Sequence, residues 1–175
     1  MVARSKRQAL ALANFAARGP GSGSTWSRVT WGGCMKTTYK VIAYVIAAEV
    51  AIQAAMIGFA VAGLFTWIEK DGGFLDQAVL ESEPDFTGAL GFMIHGINGM
   101  MLIPVLALVL LIISFFAKIG CGTKWAGWLL ASVVIQVALG IFGNESPYLG
   151  LLHGLNALVV FSVAIMAGKR VGKTT

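Results

Sequence analysis

Charge is what this chain has least of. Only 12% of its 175 residues are Asp, Glu, Lys or Arg, against the roughly 25% usual in a soluble domain. Hydrophobic residues make up 57% and the mean hydropathy is +0.79, which excludes an ordinary water-soluble protein and a disordered chain. Cysteine is equally sparse. Cys34 and Cys121 are too few for a disulfide-built scaffold and lack the CxxC spacing of a thiolate metal site. Only one of the four prolines, Pro104, falls inside an apolar run, where it predicts a kink. The chain has only two histidines.

The apolar residues fall into four runs, at about 41–65, 89–116, 125–142 and 148–167. Each reaches the length of about 17–25 residues that crosses a hydrocarbon core about 30 Å thick at 1.5 Å per residue. Backbone groups in lipid must be satisfied within the segment, so each run predicts a helix. The expected fold class is an all-α membrane protein, a four-helix up-down bundle.

The net charge of +5 would suggest an anionic partner if it lay on one folded surface. It reads instead as orientation. Arg4, Lys6, Arg7, Arg18, Arg28, Lys36 and Lys40 precede the first run; Lys118 and Lys124 follow the second; Lys169, Arg170 and Lys173 follow the fourth. Lys70 alone falls on the opposite side, with every acidic residue but Glu49. The positive-inside bias then predicts cytoplasmic termini in a bacterial inner membrane and an acidic outer loop over 67–88. Trp125, Trp128, Trp67 and Tyr148 suit the interfacial belts. Expected partners are the bilayer and other membrane subunits or a second copy, not nucleic acid.

Residues 1–34 hold five basic and no acidic residues around a Gly/Ser-rich stretch, and are expected to lack order. Three explanations stand: an arm on anionic lipid headgroups or, less favoured, on nucleic acid, a transit peptide, or translation starting at Met35.

Function should show in the interior polar residues, because ionisable groups in a membrane are costly and face the bundle interior. His95 and His153 each open a His-Gly-aliphatic-Asn motif, with Asn98 and Asn156 at i+3 on the same helix face. The preceding run in each case carries Ile-Gln, at Gln53 and Gln136, then small residues and a glycine. The chain thus predicts two pseudo-repeated helix pairs. Both histidines enter from the outer side to similar depth. In an up-down bundle their helices are diagonal, about 11–14 Å apart, which leaves room for one ion between two inward imidazoles.

Two neutral imidazoles facing across an apolar bundle suit a haem, which needs only axial ligands from the protein. Zinc usually needs three or four protein ligands. The expected cofactor is therefore one haem b, with His95 and His153 as axial ligands. Its pocket would comprise Gly96, Gly99, Gly154, Asn98, Asn156, Gln53 and Gln136. The competing explanation is that these Asn, Gln and His residues join helices by ordinary interhelical hydrogen bonds. Another metal or a proton relay is a third. Glu49 lies near the middle of the first run with no cation at its level. It is protonated, turned to a partner subunit, or part of a proton path. A proton-coupled transporter has little support, because four short helices offer no broken helix or second gate.

The stretch Val134–Gly143, followed by Pro147-Tyr-Leu-Gly-Leu-Leu-His153, resembles the Gln-x-x-Leu-Gly and Leu-His helix pair of haem A synthases. Those enzymes are tandem four-helix bundles with histidines on the second and fourth helix of each half, and residues 40–168 would correspond to one half. The resemblance implies a haem site at His95 and His153. It does not carry the catalysis over: Phe92 stands where the catalytic half has Glu, and no Arg follows His95. The chain also resembles small, uncharacterised four-helix bacterial membrane proteins, which implies architecture and no activity. The function expected is electron transfer, or a haem-bearing subunit of a respiratory-type complex, with no catalytic activity of its own. The alternative is a haem-free accessory subunit.

Overall fold

The computed structural model describes residues 31–82, 85–143 and 145–172. Among these the regular structure is entirely helical. In chain order the elements are α1 (Trp31–Lys70), α2 (Gln77–Glu81), α3 (Ala89–Ile97), a π-helical turn (Asn98–Leu102), α4 (Ile103–Phe116), α5 (Gly122–Ile141) and α6 (Pro147–Lys169). A 3-10 turn closes the series at Arg170–Gly172. Four helical stretches are long and apolar enough to cross a membrane: Gly33–Lys70, Ala89–Phe116, Gly122–Ile141 and Pro147–Gly172. The chain is a multi-pass helical membrane protein.

α1 is longer than a span requires. Its 40 residues extend about 60 Å, twice the hydrocarbon thickness. The helix also takes in Trp31 to Cys34, which the composition had assigned to a disordered arm. Residues 31–40 contain no proline, and hydrogen bonds from Thr37 to the Gly33 carbonyl (3.2 Å) and from Thr38 to the Cys34 carbonyl (3.0 Å) run along this first stretch. The five cations of the arm, from Arg4 to Arg28, lie outside the described residues.

Two contacts fix which ends lie together. Tyr39 Oη donates to the Gly122 carbonyl (2.9 Å), and the Tyr44 ring lies against Gly168. The start of α1, the start of α5 and the end of α6 therefore share one end of the bundle, called basal below. The α1–α3 and α5–α6 connections form the distal end.

At the distal end α1 and α3 touch backbone to backbone. A Cβ on Gly91 would lie 2.5 Å from the Met56 carbonyl oxygen. Gly88, at φ 108°, leads into α3 with a Cβ direction 2.8 Å from the Phe59 carbonyl oxygen. Only glycine satisfies that conformation and that approach. α6 starts on an Ser146 cap, whose hydroxyl accepts from the Tyr148 N–H (3.3 Å), with Pro147 in the first turn. The distal connection carries Asp76, which caps α2 by accepting from Val79 N–H at 2.8 Å. Trp67 stacks on Phe86 with ring centroids 5.8 Å apart.

Tyr39, Ile46, Leu110, Leu129, Val133 and Val160 are the largest fully buried side chains. Around them lie Ala43, Ala47, Ala107, Ala126, Ala164 and Ala167. Alanine at these crossings lets the helices approach, which is how helices associate where lipid is as apolar as their own side chains. Large apolar residues cover the outside, among them Met101, Phe115 and Leu158, each about 65% exposed. Those side chains meet acyl chains.

Candidate two-histidine centre

His95 and His153 each lie six residues in from the start of their helix, α3 at Ala89 and α6 at Pro147. That is about 9 Å of helix in both cases. Their helices are diagonal in the bundle, and the two imidazoles meet across its middle. The ring centroids are 6.0 Å apart and the planes are inclined at 63°.

Each histidine leans on the glutamine of the helix before it. His153 Nδ1 lies 3.1 Å from the Gln136 carbonyl oxygen, so Nδ1–H donates and Nε2 carries the lone pair. Gln136 Nε2 donates to that Nε2 at 3.1 Å. Asn156 then donates to Gln136 Oε1 (2.8 Å) and to the Ser132 carbonyl (2.9 Å), which fixes the amide's orientation. His95 Nδ1 lies 3.4 Å from the Gln53 carbonyl oxygen. With its amide nitrogen toward α3, Gln53 donates to His95 Nδ1 at 2.7 Å and to the His95 carbonyl at 3.0 Å, and accepts from the Gly99 N–H at 3.2 Å. In that arrangement His95 keeps its proton on Nε2. In that amide orientation the two rings hold opposite tautomers.

Glu49, one turn before Gln53 on α1, accepts from Asn98 Nδ2 at 3.2 Å. Its carboxylate thus has an inward partner in its own chain. The same place on α5 is held by Ser132, whose hydroxyl donates to the Trp128 carbonyl at 2.8 Å.

Beside the two rings lies a cavity of about 540 Å³, lined by residues of all four spans. His95, His153, Gln53 and Gln136 supply its polar groups. Gly96, Gly99 and Gly154 border it, and a Cβ added at any of the three would meet nothing within 4 Å. Gly140 also borders it, but close: its Cβ direction is 3.1 Å from His153 Cε1. Val133 and Val160 reach it from the packed core. Asn98 and Asn156 do not line it; they act on Glu49 and Gln136 from behind. Gly58, the glycine of the α1 motif, borders no neighbour and faces outward.

The kink expected at Pro104 takes the form of a π turn at Asn98–Leu102, which sequence reasoning missed. Pro104 is its cause. With no N–H it cannot bond the Met100 carbonyl, and its ring crowds that group, so the backbone opens by one residue and Ile103 N–H bonds the Asn98 carbonyl instead. π turns often mark functional sites, and this one directly follows His95-Gly96-Ile97.

Among the described residues no group of three or more His, Cys, Asp or Glu could hold a metal ion. Cys34 and Cys121 are both free and exposed. Fold and site together define a class: a four-helix membrane bundle with two histidines facing across its centre, beside a largely apolar cavity. Compared with family models, curated proteins and solved structures, the chain matches none.

Proposed function

We propose that the chain is a b-type cytochrome-like membrane protein that holds one haem between His95 and His153. It would serve electron transfer, or form a haem-bearing subunit of a respiratory-type complex in a bacterial inner membrane. The charge distribution favours both termini on the cytoplasmic side and the haem near the outer leaflet. The matched contacts of Gln53 with His95 and Gln136 with His153 favour an origin by duplication of one helix pair.

One observation carries the reading: two imidazoles from diagonal helices at the same level, 6.0 Å apart, beside a cavity of about 540 Å³. Imidazoles that share one metal ion through bonds of about 2.0–2.1 Å have ring centroids ~6 Å apart. The cavity falls within the roughly 300–1,000 Å³ of ligand sites, and three glycines leave it open to a flat ring. A backbone carbonyl behind each Nδ1 is the partner that orients a metal-bound imidazole. To present both Nε2 atoms, Gln136 would turn its amide away and the His153 ring, whose nitrogen edge faces Gln136 and Gly140 on α5, would rotate toward His95. His95 would move its proton to Nδ1, where the Gln53 carbonyl can accept it. His95 and His153 would hold such a haem, which would supply one-electron redox chemistry.

A second reading rests on another observation. Among the described residues no buried side-chain nitrogen or oxygen lacks a hydrogen-bond partner, and Gln136 alone satisfies both nitrogens of His153. The same residues therefore serve a haem-free accessory subunit as interhelical polar contacts. An absorbance spectrum separates the two. Protein purified in detergent from haem-replete cells, oxidised and then reduced with dithionite, should show sharp b-type bands that vanish in His95→Ala and in His153→Ala. A colourless preparation sinks the haem reading and leaves the accessory subunit. Bands that survive loss of either histidine sink the ligand assignment.

A further inference from the structure

A second cavity, of about 450 Å³, opens at the basal end between α5 and α6. It is lined by Cys121, Lys124, Trp125, Trp128, Val163 and Arg170. We propose that it binds an anionic phospholipid, with the headgroup phosphate between Lys124 and Arg170 and an acyl chain against Trp128 and Val163. The inference is independent of the haem reading.

Charge selects the occupant. Two cations line the cavity and no carboxylate does. Arg170, in the 3-10 turn after α6, is folded back over the Trp125 ring, its guanidinium carbon 4.9 Å from the centroid. That contact holds the guanidinium at the cavity wall, and its fork of donors suits a two-point grip on phosphate. Among the described residues every carboxylate except Glu49 lies on α2, on the connections or at the distal end of a helix, so none of them competes for these cations. The chain's own first 34 residues are a poor occupant, because they carry five cations and no anion.

Depth selects a lipid over other anions. Lys124 is in the first turn of α5 and Arg170 directly follows the last turn of α6. Both charges are thus at headgroup level for helices that cross the bilayer. The rest of the cavity is apolar and runs toward the hydrocarbon: Trp128, 61% exposed, is one turn deeper than Lys124, and Val163 is two turns deeper than Arg170. Amphipathic indoles beside cations are what an interface uses to seat a headgroup.

The test uses full-length protein in nanodiscs and its tryptophan fluorescence. Phosphatidylglycerol brominated on its acyl chains is compared, as quencher, with brominated phosphatidylcholine. Each cation near the surface is expected to favour the anionic lipid about fivefold. Phosphatidylglycerol should therefore reach half-quenching at a mole fraction at least about tenfold lower. The preference should weaken in Lys124→Gln and in Arg170→Gln, vanish in the double variant, and persist in Lys40→Gln, a basal cation outside the cavity. Equal quenching by the two lipids overturns the proposal, as does a preference that survives the double variant. Relief of quenching by inorganic phosphate would mean that a free anion takes the site and would overturn the lipid assignment. Should the double variant fail to insert, Trp125→Phe/Trp128→Phe keeps both charges. Loss of the lipid-selective quenching there supports the site, and its persistence overturns it.

Discussion

The basal and distal halves of the bundle use the same four helices in opposite ways. In the basal half alanines on facing helices draw the backbones together around Ile46, Leu110 and Leu129, and side-chain bonds between helices include Tyr39 to the Gly122 carbonyl and Ser114 to Thr123. In the distal half the helices line a cavity of about 540 Å³ edged by two histidines and two glutamines, which opens outward past the exposed Met100 and Leu158. Lipid supplies no hydrophobic pressure that would collapse such a space, and association rests on packing and interhelical hydrogen bonds. A chain that needs a cavity in a membrane can therefore place its packing in one half and its polar groups in the other. The basal half holds the helices in register, and the distal half is free to be hollow.

Substitutions that affect one half and spare the other test this division. The largest effect should follow loss of either histidine: His95→Ala or His153→Ala is expected to abolish the reduced b-type spectrum while thermal unfolding in detergent stays cooperative. Gly154→Leu should come next. It fills open space beside His153 and is expected to lower haem content at least about tenfold, read as haem per protein, with a stability change below about 1 kcal/mol. Leu129→Ala reverses the pattern. Emptying a fully buried site should cost about 2–5 kcal/mol, seen as a lower unfolding midpoint, with the bands of the surviving folded protein unshifted. Asn98→Leu removes the partner of Glu49 and should cost about 1–3 kcal/mol. The smallest effect is expected in Tyr39→Phe, where the buried bond to the Gly122 carbonyl is worth about 1 kcal/mol. If Leu129→Ala removed the colour as completely as His153→Ala, the two halves would not be separable.

The helices were legible because lipid demands long uncharged runs, and the two histidines were legible because nothing else in the runs is like them. The division into halves was not. In a soluble helix the buried face differs in polarity from the exposed one, but here both are apolar. In α6, Leu151, Leu155 and Leu158 face outward while Val160 and Ala164 are buried, and no hydropathy contrast separates them. Asn98 and Asn156 illustrate a second limit. The sequence made them equivalent members of one pocket, yet Asn98 meets the Glu49 carboxylate and Asn156 meets Gln136 and the Ser132 carbonyl. What each asparagine does depends on the residue one turn before the glutamine on the neighbouring helix, and that residue is known only once the helices are paired.

The π turn at Asn98–Leu102 acts as a phase joint. The inward positions of α4 are Ile103, Ala107, Leu110 and Ser114, and those of α3 include Gly91 and His95. An unbroken α-helix rotates by about 100° per residue and could not keep both sets on one face, because the second set lags the first by about one residue. The extra residue in the wide turn absorbs that offset. Replacing Pro104 with alanine, at unchanged length, would allow the turn to close into a continuous α ladder. That closure would turn either the histidine or the leucine seam about 100° from the bundle axis, so one amino acid of added chain, held in a wide turn, keeps the two halves facing the same way.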